Sequence, residues 1–506
     1  MGPYIVSLVI PKDALSVLDA FRTLLSDAQP LAARMFIDGQ WRDASGLGVD
    51  EVEDPATGRA IATTPQGTRA HAEEALDAAR RAQPAWAALP AVERGRAVLA
   101  LADAVHAETE LLARIVVAEQ GKPIGQARGE IGATETFLRF AAEWARRIEG
   151  EILPSDAPNE EIWIRRLPHG VVAGLTAWNY PSALAGRKLG PALVAGNTFV
   201  LKAHEFTPLS GLALAALAER VGLPAGVVNV VTGDGRNVGA ALVEGADMTT
   251  MTGSTRAGRE IYATGAKGIK NLRLELGGKA PFIVMEDADL GRAVEAAVAA
   301  RFTNCGQICT CNERMYLHEA IADEFLARFV EKAGALSIGP GMDDPDLGPK
   351  VSGGEVEKVE AMTLASIKAG AEVLLRGGPL KEGRYEHGHF MAPTVLEVRS
   401  NDVPVMKDEV FGPVVAAKRV GSYEEALTLA NDSDYGLSAY VWSANLKRVF
   451  QAAESLNFGE IYCNRTNGEL VQGFHSGWGL SGLGGEDGKW GFDGYLRKKT
   501  MYVNWA

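Results

Sequence analysis

Apolar residues spaced by three and four from about residue 70 to 150 predict a helical region. The stretches AHAEEALDAARRAQPAWAAL and RAVLALADAVHAETELLARIVVAEQ show this spacing, with charged residues between the apolar ones. The following stretch, EIWIRRLPHGVVAGLTAWN, alternates apolar and polar residues as strands do. Its Pro-His-Gly predicts a turn between two strands.

Short β-rich runs alternate with helical runs from about residue 170 to 300, as in GVVAGLTAW, TFVLKA and GVVNVVTG. This alternation predicts an α/β fold with a mostly parallel, doubly wound sheet. A second alternating stretch, from about residue 300 to 470, predicts a second α/β unit. The tail YLRKKTMYVNW predicts one last strand, whose lysines and aromatic residues suit the edge of a sheet.

Length and composition bear on the number of domains, on the partners and on the compartment expected for this protein. A chain of 506 residues is long enough for two or three domains. The net charge of −13 argues against a nucleic-acid partner, because phosphate binding needs clustered positive charge. No apolar run approaches the roughly 20 residues that cross a bilayer, so no membrane partner is expected. Four cysteines without a disulfide spacing favour a reducing, cytoplasmic location.

Three of the cysteines lie close together in the stretch TNCGQICTCNER, at positions 305, 309 and 311. Their Cys-x3-Cys-x-Cys spacing matches none of the usual zinc sites, and no histidine is near in sequence. A disulfide would be unusual in a reducing compartment. We therefore expect no metal here, and interpret the cluster as one nucleophilic cysteine with two small apolar neighbours.

Two polar residues follow apolar strands in a way that suggests catalysis. Asn179 comes directly before Tyr-Pro at the end of a predicted strand, where ligands bind in such sheets. Its amide could donate to a developing oxyanion, or it could simply be a turn residue. Glu275 lies between leucines and before Gly-Gly. It could be a general base, or it could form a salt bridge with Lys279 or with a nearby arginine.

Other residues suggest a nucleotide site, although each has an ordinary alternative. Lys202 and Glu205 follow a predicted strand, where they could bind ribose hydroxyls or be solvated loop charges. The glycine-bearing turns TGDGRNVG and TGSTRAG are weak evidence, since neither is a GxGxxG. Ser254 could help to bind a pyrophosphate at a helix start, or could only cap that helix.

Together, in order and spacing, several motifs resemble the aldehyde dehydrogenase superfamily from about Met35 to the C-terminus. They are WNYP, LVAGNTFVLKAHEFTP, MTGSTRAGR, LELGGKAP, NCGQIC, DEVFGPV and YGLSAYVWS. The resemblance implies an NAD-binding domain (34–154 and 176–299) and a catalytic domain (300–480). It also implies oligomerisation segments (155–175 and 481–506) that would form a homodimer or homotetramer. Residues 1–33 would be an appended helix-forming arm or an extension from an upstream start codon.

The resemblance also assigns roles to individual residues. Cys309 would be the nucleophile, activated by its surroundings and a helix start, and Glu275 the base for the deacylating water. Asn179 and the backbone amide of Cys309 would hold the oxyanion. The residues expected to bind the cofactor are Trp178, Lys202, Glu205, Gly235, Gly239, Ser254, Gly277, Glu409 and Phe411.

The cofactor implied by the resemblance is NAD, with NADP as the alternative. Glu205 favours NAD, because its carboxylate would bind the 2′-hydroxyl of the ribose and repel a 2′-phosphate. Arg236 is the reason to keep NADP open, because a guanidinium near this site could tolerate the 2′-phosphate.

The motifs EWARR, EGEILPSD, AGRK and NR…QGFH…GW resemble the lactaldehyde and glycolaldehyde dehydrogenase branch of that superfamily. They imply a small polar aldehyde of hydroxy- or semialdehyde type, bound by Arg187, Thr310, Glu469 and His475. Alternatively, Arg187 and Glu469 pair with each other or with other charges. Sugar-derived, succinic semialdehyde or aromatic substrates, a cysteine-dependent esterase or thioesterase, and a non-catalytic binding protein stay open as alternatives.

Overall fold

The computed structural model describes residues 17–22, 30–43, 46 and 48–506. Most of the predicted extension, residues 1–33, therefore lies outside the described residues. Residues 17–22 are helical, and Val17, Leu18 and Phe21 are buried in the larger core cluster. Among the described residues, none of the helices is both long and apolar enough to cross a membrane.

The first large sheet has eight strands. Five strands that are consecutive across the sheet run parallel to one another. In spatial order the strands are Gly482–Leu483, Asn271–Glu275, Met248–Thr252, Val171–Leu175, Thr198–Lys202, Val228–Val231, Met35–Ile37 and Gln40–Arg42. Neighbouring residues of one strand enter different core clusters: Val172 belongs to one, and Val171 and Ala173 to the other. Both faces of this sheet are therefore covered, as a doubly wound sheet requires.

The second large sheet has seven strands, of which six run parallel. In spatial order they are Glu372–Leu375, Thr394–Glu397, Val414–Val420, Asn312–His318, Ala280–Val284, Ser438–Trp442 and Glu460–Cys463. Phe282 and Ile283 again enter different core clusters, so this sheet is also covered on both faces. The predicted α/β fold with two alternating units is confirmed.

Helices cover these sheets, and the region predicted to be helical from residue 70 to 150 is so. The α-helices are Arg69–Ala88, Ala91–Ala107, Thr109–Gln120, Ile124–Glu143, Pro181–Ala195, Leu209–Arg220, Ala240–Gly245, Thr255–Ala266, Leu290–Phe302, Glu319–Gly334, Gly353–Lys368, Pro404–Lys407, Tyr423–Asn431, Leu446–Ser455 and Gly488–Asp493. Shorter 3₁₀ turns and one π-helical turn lie at Trp144–Arg146, Gly235–Gly239, Thr303–Gly306, Gly341–Asp343 and Gly383–Tyr385.

A small antiparallel sheet is formed by Glu151–Pro154, Glu160–Pro168 and Leu496–Asn504. The last strand lies at the edge, as its lysines and aromatic residues predicted. The remaining strands form smaller sheets: Leu31–Ala32 with Arg59–Pro65 and Val49–Asp54, Gly378–Pro379 with Met391–Ala392, and Tyr435–Gly436 with Trp478–Gly479.

Three predicted boundaries differ from the sheets observed. The predicted bridging segment 155–175 overlaps the sheet predicted from about residue 170, and Val171–Leu175 is a fully buried central strand of the eight-stranded sheet. Ala280–Val284 lies within the seven-stranded sheet, which therefore begins before residue 300. Gly482–Leu483 pairs with Asn271–Glu275 rather than with the small sheet. Strand patterns alone do not specify which strands pair, so these boundaries required the tertiary structure. The division into NAD-binding, catalytic and oligomerisation units stays a prediction.

Candidate active site

The predicted polar residues of the eight-stranded sheet meet at one edge. Leu175 aligns with Lys202 in one strand pair, and Thr252 aligns with Glu275 in another. Because these strands are parallel, their carboxyl ends lie side by side, and Asn179 follows directly after one of them. This edge is where ligands bind in an open α/β sheet.

Cys309 lies in a turn before the strand Asn312–His318 of the other large sheet. Cys309 is not itself the first residue of a helix, because the helix Leu290–Phe302 ends before it and a strand follows. The expected help of a helix start in activating the thiol stays a prediction. The chain reverses direction through Asn304 and Cys305, which have left-handed backbone angles, φ 51° and 55°. The thiol therefore lies on an irregular loop between the helix Leu290–Phe302 and the strand Asn312–His318.

Cys305 and Cys311 are fully buried, as expected for small apolar neighbours. Burial raises the pKa of each thiol to about 11. The Cys311 sulfur lies 3.7 Å from the carbonyl oxygen of Arg301, to which it donates. Both thiols are therefore held as neutral groups inside the protein.

Cys309, Glu275 and His475 come together, with one side-chain heteroatom of each within 4.8 Å of the others. His475 Nε2 lies 3.1 Å from Glu275 Oε1. The alternative partner of Glu275, Lys279, instead bonds to Glu313 at 2.6 Å. Burial and the nearby Glu275 carboxylate raise the pKa of Cys309, whereas the neighbouring His475 lowers it.

The other side of the His475 ring faces two more carboxylates. Nδ1 lies 3.1 Å from Glu460 Oε1 and 3.6 Å from Glu469 Oε1. Burial disfavours the charged ring, but Glu469 and Glu460 outweigh this cost and raise the pKa of His475 well above its ordinary value. The carboxylates around His475 therefore favour the protonated form of its ring.

Arg187 is buried against three carboxylates. Its guanidinium lies 3.0 Å from Glu469 Oε2 and 3.2 Å from Glu486 Oε2, and it also pairs with Asp487. The pairing of Arg187 with Glu469, the alternative weighed from the sequence, is therefore present. Thr310 is buried beside Cys309, and its backbone carbonyl accepts a hydrogen bond from the Tyr440 hydroxyl.

Asn179 is positioned through both its side chain and its backbone. Its Nδ2 donates to the carbonyl of Gln307 at 3.0 Å, while its buried Oδ1 has no hydrogen-bond partner. Its own carbonyl accepts from Lys122 Nζ at 2.8 Å and from Asn304 Nδ2 at 3.2 Å. Sequence reasoning missed these partners, although Asn304 and Gln307 lie within the NCGQIC motif. Lys122 gave no comparable signal.

Lys202 and Glu205 form an ion pair at 3.0 Å, and Lys202 is buried. Burial raises the pKa of Glu205, but Lys202 outweighs it, so that the carboxylate stays charged. Ser254 caps the helix Thr255–Ala266, accepting from Ala257 N at 3.2 Å. Its helix start is thereby fixed at the same sheet edge.

The other residues expected to bind the cofactor lie in a helical turn, in an aromatic contact or in a backbone hydrogen bond. Gly235 and Gly239 lie in the π-helical turn, and a Cβ on Gly235 would meet nothing within 4 Å. Trp178 and Phe411 stack edge to face, with ring centroids 5.4 Å apart. Arg236 uses its backbone amide to bond to the Asp234 side chain at 2.7 Å.

Glu409 reaches the linker between the two large sheets. Its Oε1 accepts from Gly278 N at 2.8 Å, and a Cβ on Gly277 would lie 2.5 Å from its Oε2. Burial raises the pKa of Glu409 to about 7. With the Lys202–Glu205 pair and the capped helix start, this carboxylate would offer partners for the riboses and the pyrophosphate of a bound cofactor. The residues present therefore fit a nicotinamide dinucleotide.

Comparison with known proteins identifies the family. The model of the aldehyde dehydrogenase family matches residues 41–501. A 3,6-anhydro-alpha-L-galactose dehydrogenase of Vibrio sp. (strain EJY3) is 47% identical over 93% of this chain and 99% of its own length. The lactaldehyde dehydrogenase of Escherichia coli (strain K12) is 41% identical over 94% and 99%. A solved 3,6-anhydro-L-galactose dehydrogenase in complex with NADP superposes with a TM-score of 0.91, at 46% identity over 93% of this chain and 100% of that chain. The protein therefore belongs to the aldehyde dehydrogenase family of NAD(P)-dependent oxidoreductases.

Proposed function

We propose that the protein oxidises a small 2-hydroxyaldehyde, such as lactaldehyde or glycolaldehyde, to the corresponding carboxylate. The observation that carries this proposal is the polar cluster beside Cys309, where His475 faces Glu275, Glu460 and Glu469. Carboxylate and imidazolium groups can bond to a substrate hydroxyl as acceptors and donor. Lactaldehyde and 3,6-anhydro-L-galactose, the substrates in two relatives' names, both carry a hydroxyl next to the aldehyde carbon.

The charge of the cluster argues against a semialdehyde that ends in a carboxylate. Three glutamates surround His475, so a further anion would add to their mutual repulsion. Arg187, which could otherwise bind a substrate carboxylate, already faces Glu469, Glu486 and Asp487. An aromatic aldehyde without a hydroxyl would form no hydrogen bond with these polar groups and would gain no affinity from them.

The proposed chemistry begins with attack of the Cys309 sulfur on the aldehyde carbon, which gives a thiohemiacetal. Asn179 Nδ2 and the backbone amide of Cys309 hold the oxyanion. Collapse of the thiohemiacetal to a thioester releases a hydride, for which a bound NAD(P) would supply the acceptor. Glu275 then removes a proton from water, which hydrolyses the thioester and releases the carboxylate.

Kinetics with matched substrates test this proposal. NAD(P)H formation is measured with lactaldehyde and with propanal, which differ by one hydroxyl, and with 3,6-anhydro-L-galactose, glycolaldehyde, succinic semialdehyde and benzaldehyde. We expect kcat/KM for lactaldehyde to exceed that for propanal by at least about tenfold, since a site built for a hydroxyl rejects an analogue that lacks it. Both NAD and NADP are supplied, because Glu205 and Arg236 favour different cofactors.

Three results would contradict the proposal. Equal kcat/KM for propanal and lactaldehyde would show that the site does not recognise the hydroxyl. Preference for succinic semialdehyde would show that the glutamates do not disfavour a substrate carboxylate. Ester hydrolysis by Cys309 without any NAD(P)H formation would favour the cysteine-dependent esterase.

A further inference from the structure

The charge around Cys309 opposes the form of the residue that reacts. The thiolate, not the thiol, is the nucleophile, and burial and Glu275 both disfavour it. Cys309 is followed along the chain by a strand rather than by a helix. Within the cluster of Cys309, Glu275 and His475, the group that can carry a positive charge is His475.

His475 is held in place by its backbone and kept charged by its neighbours. Its amide donates to Glu486 O at 2.9 Å, and Glu486 N donates to His475 O at 2.7 Å. This pair of bonds fixes the position from which the ring extends. On the ring, Glu460 and Glu469 lie within 3.6 Å of Nδ1, while Nε2 lies on the side of Glu275.

We propose that His475 is a further catalytic group, whose imidazolium stabilises the Cys309 thiolate while Glu460 and Glu469 hold the positive charge on the ring. The inference rests on the proposed function only in taking Cys309 as the nucleophile. In this step the S–H bond breaks, the proton goes to water and the electron pair stays on sulfur. The charged and titratable groups that act on His475 are Cys309, Glu275, Glu460, Glu469, Glu486 and Arg187.

A substrate-binding role alone would leave the reactivity of the free thiol unchanged. Alkylation of Cys309 by iodoacetamide requires neither aldehyde nor cofactor, so it separates these two roles. It also separates this inference from the substrate proposal, because alkylation does not depend on which aldehyde the enzyme oxidises.

The experiment measures the alkylation rate of Cys309 against pH in the intact enzyme, by mass spectrometry of the labelled peptide. The half-buried Cys463 in the same sample is the internal reference. The variants are His475→Gln, which removes the charge, and His475→Lys, which keeps it.

An opposite charge at this distance typically shifts a thiol pKa by about one to three units. We therefore expect His475→Gln to slow Cys309 alkylation at least about tenfold near neutral pH, with the profile displaced to higher pH. His475→Lys should retain most of the rate.

Two outcomes would overturn the inference. Alkylation of Cys309 in His475→Gln at the wild-type rate throughout the pH range would show that the imidazolium does not act on sulfur. Equal slowing in the Gln and Lys variants, with Cys463 unaffected, would show that ring packing rather than charge matters. Circular dichroism of both variants establishes that each is folded before its rates are compared.

Discussion

Two adjacent glycines lie where the backbone packs closely against Cys309, the proposed nucleophile. Gly277 and Gly278 link the strand Asn271–Glu275 of one sheet to Ala280–Val284 of the other. A Cβ on Gly278 would lie 2.2 Å from the carbonyl oxygen of Cys309, and backbone atoms cannot yield as a flexible side chain can. The pair of glycines is therefore required by close packing at the active site rather than by a left-handed turn.

At the residue scale, we expect Gly278→Ala to reduce kcat about a hundredfold, because a displacement of Cys309 by about 1 Å spoils its alignment with substrate. Gly354→Ala is the matched control, since a Cβ there meets nothing within 4 Å on the helix Gly353–Lys368. Steady-state kinetics and thermal unfolding of both variants test this. A folded Gly278→Ala enzyme with the wild-type kcat would refute the packing argument.

At the scale of elements, one helix start is joined to Asn179, the proposed oxyanion donor, through a buried ion pair. Glu130 Oε1 accepts from the amides of Ser182 and Ala183, in the first turn of the helix Pro181–Ala195. Its other oxygen pairs with Lys122 Nζ at 2.6 Å, and both side chains are fully buried. Lys122 also donates to the carbonyl of Asn179, so the pair positions both the helix start and Asn179.

A double-substitution cycle separates stability from positioning. Lys122→Met leaves Glu130 as an unpaired buried charge, which should lower the free energy of unfolding by about 3–5 kcal/mol. Lys122→Met/Glu130→Gln removes that charge and should regain much of the stability. We expect kcat to stay at least about tenfold low in both, because the donor to Asn179 is missing.

Urea unfolding and kcat of the wild type, both single variants and the double variant complete this cycle. Recovery of kcat together with stability in the double variant would show that Lys122 acts only on folding. A Glu130→Gln variant with both properties unchanged would show that the charge of Glu130 contributes little to the helix start.

At the scale of the whole molecule, the small antiparallel sheet leaves apolar side chains exposed. Ile152, Trp163 and Met501 are directly opposite one another across its three strands, so they share one face. All three are exposed, as is Tyr502 near the C-terminus. Contiguous exposed apolar surface of this kind commonly marks an interface between proteins, which favours the predicted homodimer or homotetramer.

We expect Ile152→Glu/Met501→Glu to reduce the assembled mass in solution, since charges across this face would repel their copies in a symmetric interface. Size-exclusion chromatography with light scattering measures that mass. Leu364→Glu, at a similarly exposed apolar position on the helix Gly353–Lys368, is the control and should not change it. A wild-type monomer, or an assembly unaffected by the double substitution, would contradict the predicted association.

The sequence by itself determined the fold class, because strands buried on both faces of a parallel sheet read as short apolar runs between helices. It also determined the family, because the motifs around Asn179, Glu275 and Cys309 are local in the chain and occur in one order. The edge strand Leu496–Asn504 and the buried neighbours Cys305 and Cys311 followed from residue type alone.

Only the tertiary structure decided which distant residues meet. His475 and Glu275 are 200 positions apart in the chain, yet their side chains lie 3.1 Å apart. The partners of Arg187, the buried contact of Lys122 with Asn179 and the sheet to which Ala280–Val284 belongs are equally non-local. Strand pairing and the charge state of a buried group depend on what surrounds it in space. Local spacing therefore predicted the elements, but not the cluster of charges around Cys309, the proposed nucleophile.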